Sequence, residues 1–293
     1  MKEKSLSGGL IELNLAMLFM STSGMLGRYI DMPTPVTIGL RALFAGIILL
    51  FFIKLKKYNL KIKSEDRGRV VFGGLLLGLH WVTYFYALQL SNVAIGMLSL
   101  FTYPAITSIL EGLVMKTRIL KTHIVLSLIV LVGIYFLVPE FDIQSDNLKA
   151  VAFGVFSAFS YSLRNILMKT KVNKYNGSVL MTYQMFVIAI VLLPFFFVLD
   201  TSKIVEFIPA TIVLALLTTS IGHTLFVSSL KYFSTSTASI ISSTQPVYGI
   251  VLGMIFLHEF PKSTTIIGGV IIISTVLVEN LRLYFSNKKL KKV

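Results

Sequence analysis

His80 and His223 each stand near the middle of a long apolar run, with Trp81 and Tyr84 following the first and Thr219 preceding the second. On a helix, positions four apart share a face, so His80 pairs with Tyr84 and Thr219 with His223. Imidazoles so placed either line a cavity wall, exchanging hydrogen bonds or protons with its contents, or bond to a neighbouring helix as neutral groups. Arg164, in Ser160–Tyr161–Ser162–Leu163–Arg164, offers a two-pronged donor to a carboxylate or phosphate. The same side chain is also long enough to reach back to a helix end. For Arg41, near the border of another run, a structural or gating role is the expectation, as it is for Gln184.

A second group surrounds two prolines. Tyr103–Pro104 and Gln245–Pro246 interrupt two further apolar runs, and each proline removes a backbone hydrogen bond that must be replaced locally. Each is therefore a kink, static or hinging. Ser239, Ser242 and Gln245 fall on one helical face, which serves either as a polar cavity lining or as a close helix contact. The candidate ligand contacts are His80, Trp81, Tyr84, Tyr103, Arg164, His223, Ser242 and Gln245. Arg41, Pro104, Gln184 and Pro246 are the structural or gating candidates.

Enzyme signatures are missing: Gly-x-Ser-x-Gly, His-Glu-x-x-His, the phosphate loop and the dinucleotide glycine pattern do not occur. The four histidines are scattered and cysteine is absent. Neither a metal, a cofactor nor a catalytic role is expected.

These residues need elements to hold them, and composition says which. The 293 residues are 55% hydrophobic and 14% charged, with mean hydropathy +0.82, against about 25% charged in soluble domains. Apolar runs long enough to cross ~30 Å of hydrocarbon as helices lie near Leu10–Arg28, Val36–Ile53, Val70–Leu88, Ala94–Leu113 and Thr122–Pro139. Five more lie near Lys149–Met168, Ser178–Val198, Phe207–Leu230, Thr237–Leu257 and Thr264–Asn280. The expected fold is an all-α integral membrane protein with ten transmembrane helices. Most of the 27 Lys and Arg residues fall in the two tails and in alternate connections, such as Lys54–Arg69 and Lys169–Lys174. The other connections carry Asp31, Glu140, Asp142, Asp146, Asp200, Glu206 and Glu259. By the positive-inside bias both termini are cytoplasmic, in a multi-pass plasma (inner) membrane protein. The net charge of +14 then faces anionic lipid rather than nucleic acid, and the lipid bilayer is the first partner.

A shift of about 142 residues lays the third to fifth runs on the eighth to tenth, and Pro104 on Pro246. Five spans per copy is odd, so the second copy starts on the opposite side of the membrane. Residues 1–140 and 141–293 thus read as two inverted five-helix repeats.

Three stretches then carry a likeness: Pro33–Thr34–Pro35–Val36 with Leu40–Arg41–Ala42; Ala94–Ile95–Gly96 through Tyr103–Pro104, with Thr237–Ala238–Ser239 through Gln245–Pro246–Val247; and Leu257–His258–Glu259. In their order and spacing the chain resembles the EamA-type members of the drug/metabolite transporter superfamily. The resemblance implies a secondary transporter working by alternating access on a small-molecule substrate. Amino acids or related metabolites lead, with export as the direction and H+ or Na+ as the coupling ion. Import of a nucleobase- or vitamin-like compound is the alternative within transport. A membrane-embedded enzyme or non-transporting sensor is the alternative outside it.

Overall fold

Burial in this protein is inverted relative to a soluble domain. The side chains packed inside include Arg41, Arg164, His80, His223 and a large set of serines and threonines. The faces turned outward carry Ile47, Phe51, Phe72, Leu75, Leu79, Ile190 and Phe197. An apolar exterior this extensive needs an apolar surrounding, and with no water there every backbone polar group must be satisfied within its own helix.

The computed structural model describes residues 6–116, 121–137 and 145–290, and all regular structure among them is helical. The first half contains α1 (Leu6–Tyr29), α2 (Thr34–Leu55), α3 (Ser64–Leu90), α4 (Val93–Leu100), α5 (Tyr103–Val114) and α6 (Lys121–Leu137). The second contains α7 (Asp146–Lys169), α8 (Gly177–Leu192), the single turn α9 (Phe195–Val198), α10 (Ile204–Val213), a π-helix (Leu214–His223) and α11 (Thr224–Ser229). It ends with α12 (Thr235–Ile241), a 3₁₀ turn (Ser242–Thr244), α13 (Gln245–Leu257) and α14 (Ser263–Leu290).

Joined end to end, these segments give eight helices long and apolar enough to cross a membrane among the described residues. They match eight of the runs expected from sequence. The expected fifth and tenth runs coincide with α6 and α14, which pack on each other; the end of the fifth, at Pro139, lies outside the described residues.

Local signals explain where helices start and stop. Pro35 occupies the first turn of α2, where its missing N–H costs nothing. Asn92 caps α4 by accepting from Ile95 N, and Ser234 caps α12 by accepting from Thr237 N. The two proline-bearing spans are broken helices rather than bent ones: α4 stops before Phe101 and α5 restarts with Pro104 in its first turn, while α12 gives way to the 3₁₀ turn and α13 restarts with Pro246. α13 closes on His258, whose φ of 56° is left-handed, a conformation usually left to glycine. That turn aims Glu259 back into the bundle.

The core is built on α3 against α7, α2 against α8, and α1 wedged against α13 and the π-helix. Close approach sets the α4–α7 contact: a Cβ on Gly154 would lie 2.0 Å from Ser99 Oγ and 3.2 Å from Leu100 N. Rotating the Ser99 hydroxyl does not relieve the clash, because Ser99 Cβ itself would lie 2.7 Å away. Gly154→Ala is therefore expected to destabilise by about 1–3 kcal/mol through overpacking, read as a lower thermal unfolding midpoint in detergent.

Candidate functional site

The middle of the bundle is a cluster of rings around one guanidinium. α2 carries Arg41 fully buried, with its Nε donating to Thr219 Oγ1 on the π-helix at 2.7 Å. Its guanidinium carbon sits 3.8 Å from the centre of the Trp81 ring, a cation–π contact that holds it face-on. Trp81 meets His223 edge to face, with ring centres 5.2 Å apart. His223 lies 6.0 Å from Tyr161, on which His80 stacks at 4.3 Å. Tyr84 lies parallel to His80 at 6.1 Å, and Tyr103 packs against Tyr161 at 5.2 Å.

Hydrogen bonding fixes part of the cluster. The Ser157 hydroxyl donates to His80 O at 2.8 Å and stands 2.7 Å from His80 Nδ1. A hydroxyl has one proton to give, so His80 Nδ1–H donates to Ser157 and the lone pair of the neutral ring resides on Nε2. The Tyr103 hydroxyl faces Ser242, and Ser242 Oγ donates to Ala238 O at 2.6 Å. Other groups are left over. Both Nη atoms of Arg41, Trp81 Nε1, the Tyr84 hydroxyl and His223 Nδ1 are buried without a partner. The Tyr161 hydroxyl and the Asn165 amide nitrogen face one another without reaching hydrogen-bond geometry.

Arg164 stands apart from this pattern. Its Nε and Nη2 both donate to Gln184 Oε1, at 2.9 and 2.8 Å, and its Nη1 donates to Asn165 Oδ1 at 2.9 Å. It neither reaches a helix end nor presents a free fork; it fastens α7 to α8.

The structure thus brings together His80, Trp81, Tyr84, Tyr103, Tyr161, His223 and Arg41, while Gln184 and Arg164 form their own pair. Gln245 turns to α1, where its Nε2 donates to Met20 O at 3.1 Å. Pro104 borders a void of about 20 Å³ between α5 and α6, and Pro246 is buried at the start of α13.

Two cavities of similar size open on the basic end, and none of the candidate residues lines either. One, about 650 Å³, is bordered by Asn59, Lys63 and Tyr175. The other, about 640 Å³, lies between α1, α2, α8 and α11, with Glu12, Phe52, Tyr58, Ser220, Thr224 and Lys231 among its walls. Its deep edge at Thr224, whose hydroxyl is also unpartnered, is one residue from His223. Sequence reasoning passed over Thr224 and the Arg41–Thr219 bond; the hydroxyl run Thr218–Thr219–Ser220 was the available signal.

Both ends of the bundle are bridged. At one end Arg28 Nε donates to Glu259 Oε1 at 2.8 Å and Arg28 Nη1 to Gln89 O at 3.0 Å, while Val93 N donates to Glu259 Oε2 at 2.9 Å. A third cavity of about 420 Å³ opens there beside Asp31, Gln89 and Lys203. At the other end Lys169 Nζ donates to Leu230 O and Phe233 O, at 2.6 and 2.7 Å. Glu111 there accepts from Thr235 N and Ser236 N, both at 2.9 Å. Nearby, Lys171 is paired with Asp66, which also accepts from Tyr175.

Similarity places this architecture. The profile of the EamA-like transporter family matches residues 7–138 and 148–281. The chain belongs to the EamA-like transporter family. It is 27% identical over 258 residues to an S-adenosylmethionine uptake transporter of Rickettsia conorii, covering 85% of this chain and 82% of that one. It is 25% identical over 234 residues to a pseudopaline exporter of Pseudomonas aeruginosa, covering 77% and 79%. A solved crystal structure at 16% identity shares the fold, with a TM-score of 0.74 over 94% of this chain and 98% of that one. As an EamA-like protein the chain is a multi-pass membrane transporter of small molecules and not an enzyme.

The Arg164–Gln184 pair generates a direct expectation. Gln184→Leu strips the acceptor from a buried cation, so it should cost about 1.5–3 kcal/mol, measured by thermal or denaturant unfolding in detergent. Gln184→Glu should retain the fold, because a carboxylate replaces the amide oxygen.

Proposed function

We propose that this protein is a secondary transporter that carries a small organic metabolite across the plasma membrane by alternating access, on ten spans arranged as two inverted five-helix repeats, residues 1–140 and 141–293. The observation that carries the reading is the pairing of the two bundle ends. Val93 N meets Glu259 at one end and Thr235 N meets Glu111 at the other. Arg28 binds Gln89 O at one end and Lys169 binds Leu230 O at the other. Val93 and Thr235, Gln89 and Leu230, and Arg28 and Lys169 lie 141 or 142 residues apart, as do the caps Asn92 and Ser234, while the two carboxylates lie 148 apart. In both cases the carboxylate comes from the other half of the chain or crosses to it.

Two equivalent latches at opposite ends of one bundle are what alternating access needs, since opening one while holding the other exposes a central site to a single side. Two alternately formed states separated by a few kcal/mol suffice. The basic end, with Lys54–Arg69 and Lys169–Lys174, is read as cytoplasmic, and both termini with it. The cavity between α1 and α11 then opens toward the cytoplasm. Amino acids and related metabolites are the leading class, export the leading direction, and H+ or Na+ the coupling ion to test. Import of a nucleobase- or vitamin-like compound is the second reading, favoured by the relative named for uptake of an adenine-containing metabolite.

The test is counterflow in proteoliposomes across amino acids, nucleobases and vitamins, with and without a pH or Na+ gradient. Saturable exchange of one class supports the reading; uptake no faster than in empty liposomes for every class sinks it. The latch has its own readout. Arg28 and Glu259 are partly exposed, at 35% and 24%, so removing the pair shifts the gate by about 0.2–1 kcal/mol, up to roughly fivefold. The chain has no cysteine, so Ser91→Cys provides a unique thiol. Its labelling from the outside is expected to rise several-fold when Glu259→Gln is added.

A further inference from the structure

We infer that Arg41 is the anchor for a substrate carboxylate, and that the substrate is a planar or aromatic organic anion without a neighbouring ammonium group. This rests on the transport reading above and names the chemistry of its central site. Among the described residues the buried charged side chains are Arg41, Asp66, Arg164 and Lys171, and Asp66 pairs with Lys171. No carboxylate is therefore left in the interior for either arginine. Arg164 is served by neutral acceptors from Gln184 and Asn165. Arg41 has one hydrogen bond, from Nε, and both Nη atoms are bare.

An ionised group sealed in a low-dielectric interior without partners is strongly unfavourable, so the arrangement makes sense when the partner arrives from outside. The geometry selects that partner. Thr219 holds Nε and the Trp81 ring holds the face at 3.8 Å, which leaves the Nη edge as the open fork. Two parallel donors match the two oxygens of a carboxylate. Trp81 Nε1 adds another unpartnered donor, and the Tyr84 hydroxyl another unpartnered polar group. What is absent among the described residues is a free interior carboxylate to meet an ammonium, so the ammonium of a zwitterion is buried without a counter-charge. The walls around this fork are aromatic, with His80, Trp81, Tyr84 and Tyr161 in one cluster, a lining that suits a flat apolar body. The cavity of about 640 Å³ reaches Thr224, the chain neighbour of His223, and both residues carry unpartnered polar atoms.

Trp81 is the only tryptophan in the chain, so its fluorescence reports this site alone. Purified full-length protein is titrated with three compounds that share a phenyl ring on a two-carbon chain and differ in their charged groups: hydrocinnamate, phenylalanine and phenethylamine. The expected result is a saturable change in Trp81 emission and a raised melting temperature with hydrocinnamate, weaker by at least tenfold with phenylalanine and absent with phenethylamine. Arg41→Gln should weaken hydrocinnamate at least tenfold while leaving the unliganded melting temperature unchanged or higher, since it removes an unanswered charge. Arg41→Lys, which keeps the charge but not the fork, should fold normally with intermediate affinity.

The inference is overturned if phenethylamine or phenylalanine binds as well as hydrocinnamate, or if no carboxylate in the series perturbs Trp81 or the melting temperature. It is also overturned if Arg41→Gln lowers the melting temperature but leaves affinity intact, which marks Arg41 as purely structural. The two proposals fail separately. Equal counterflow of a cation by the wild type and Arg41→Gln removes the carboxylate site and keeps the transporter; anion binding at Arg41 with no solute flux in liposomes does the reverse.

Discussion

A guanidinium inside a hydrocarbon slab is stable only when protein groups surround it, and the interior of this protein is organised around two such cations. Arg164 is answered in full by Gln184 and Asn165, and in doing so it ties α7 to α8. Arg41 is held rather than answered: Thr219 and Trp81 fix its position and leave its outer edge bare. The same residue type is thus fully bonded in one place and left open in the other, separated by the acceptors in reach rather than by burial. The aromatic cluster follows from Arg41, since ring faces can sit against a cation without neutralising it.

The second constraint is the helix terminus. Each broken or newly started helix leaves backbone N–H groups without intrahelical partners, and in a membrane they must be met inside the bundle. Here carboxylates meet them: Glu259 at the start of α4 and Glu111 at the start of α12. Anions at helix N-termini are also favoured by the helix dipole. Because neither carboxylate belongs to the helix it caps (Glu111 is on α5 and Glu259 follows α13), the cap doubles as a bridge across the bundle end. Cap and bridge are then one interaction, and at the Arg28–Glu259 end it is partly open to solvent.

The π-helix is a further departure from regular geometry. It runs for ten residues, Leu214–His223, where such segments are usually a single turn and often mark functional positions. Thr219 and Ser220 return their hydroxyls to carbonyls five residues back, at 3.5 and 2.9 Å, which supports the wider turn from the side-chain level. The segment delivers both Thr219 to Arg41 and His223 to Trp81.

Much of this was legible in the residues alone. Apolar runs, alternating basic connections and paired prolines are local properties, summed over about 20 residues, and need no knowledge of neighbours. They determined an all-helical membrane chain, its eight clearest spans, the positions where two spans break and most members of the aromatic cluster. Which arginine is satisfied could not be read in that way. Arg41 and Arg164 look alike in sequence, and the difference lies in Gln184 reaching one and only Thr219 reaching the other, across 178 positions in the latter case. The π-helix, the cavity between α1 and α11, and the two end bridges were equally decided by tertiary packing. Hydropathy reports how a residue partitions between solvents, whereas hydrogen-bond satisfaction depends on which distant atoms packing brings within about 3 Å.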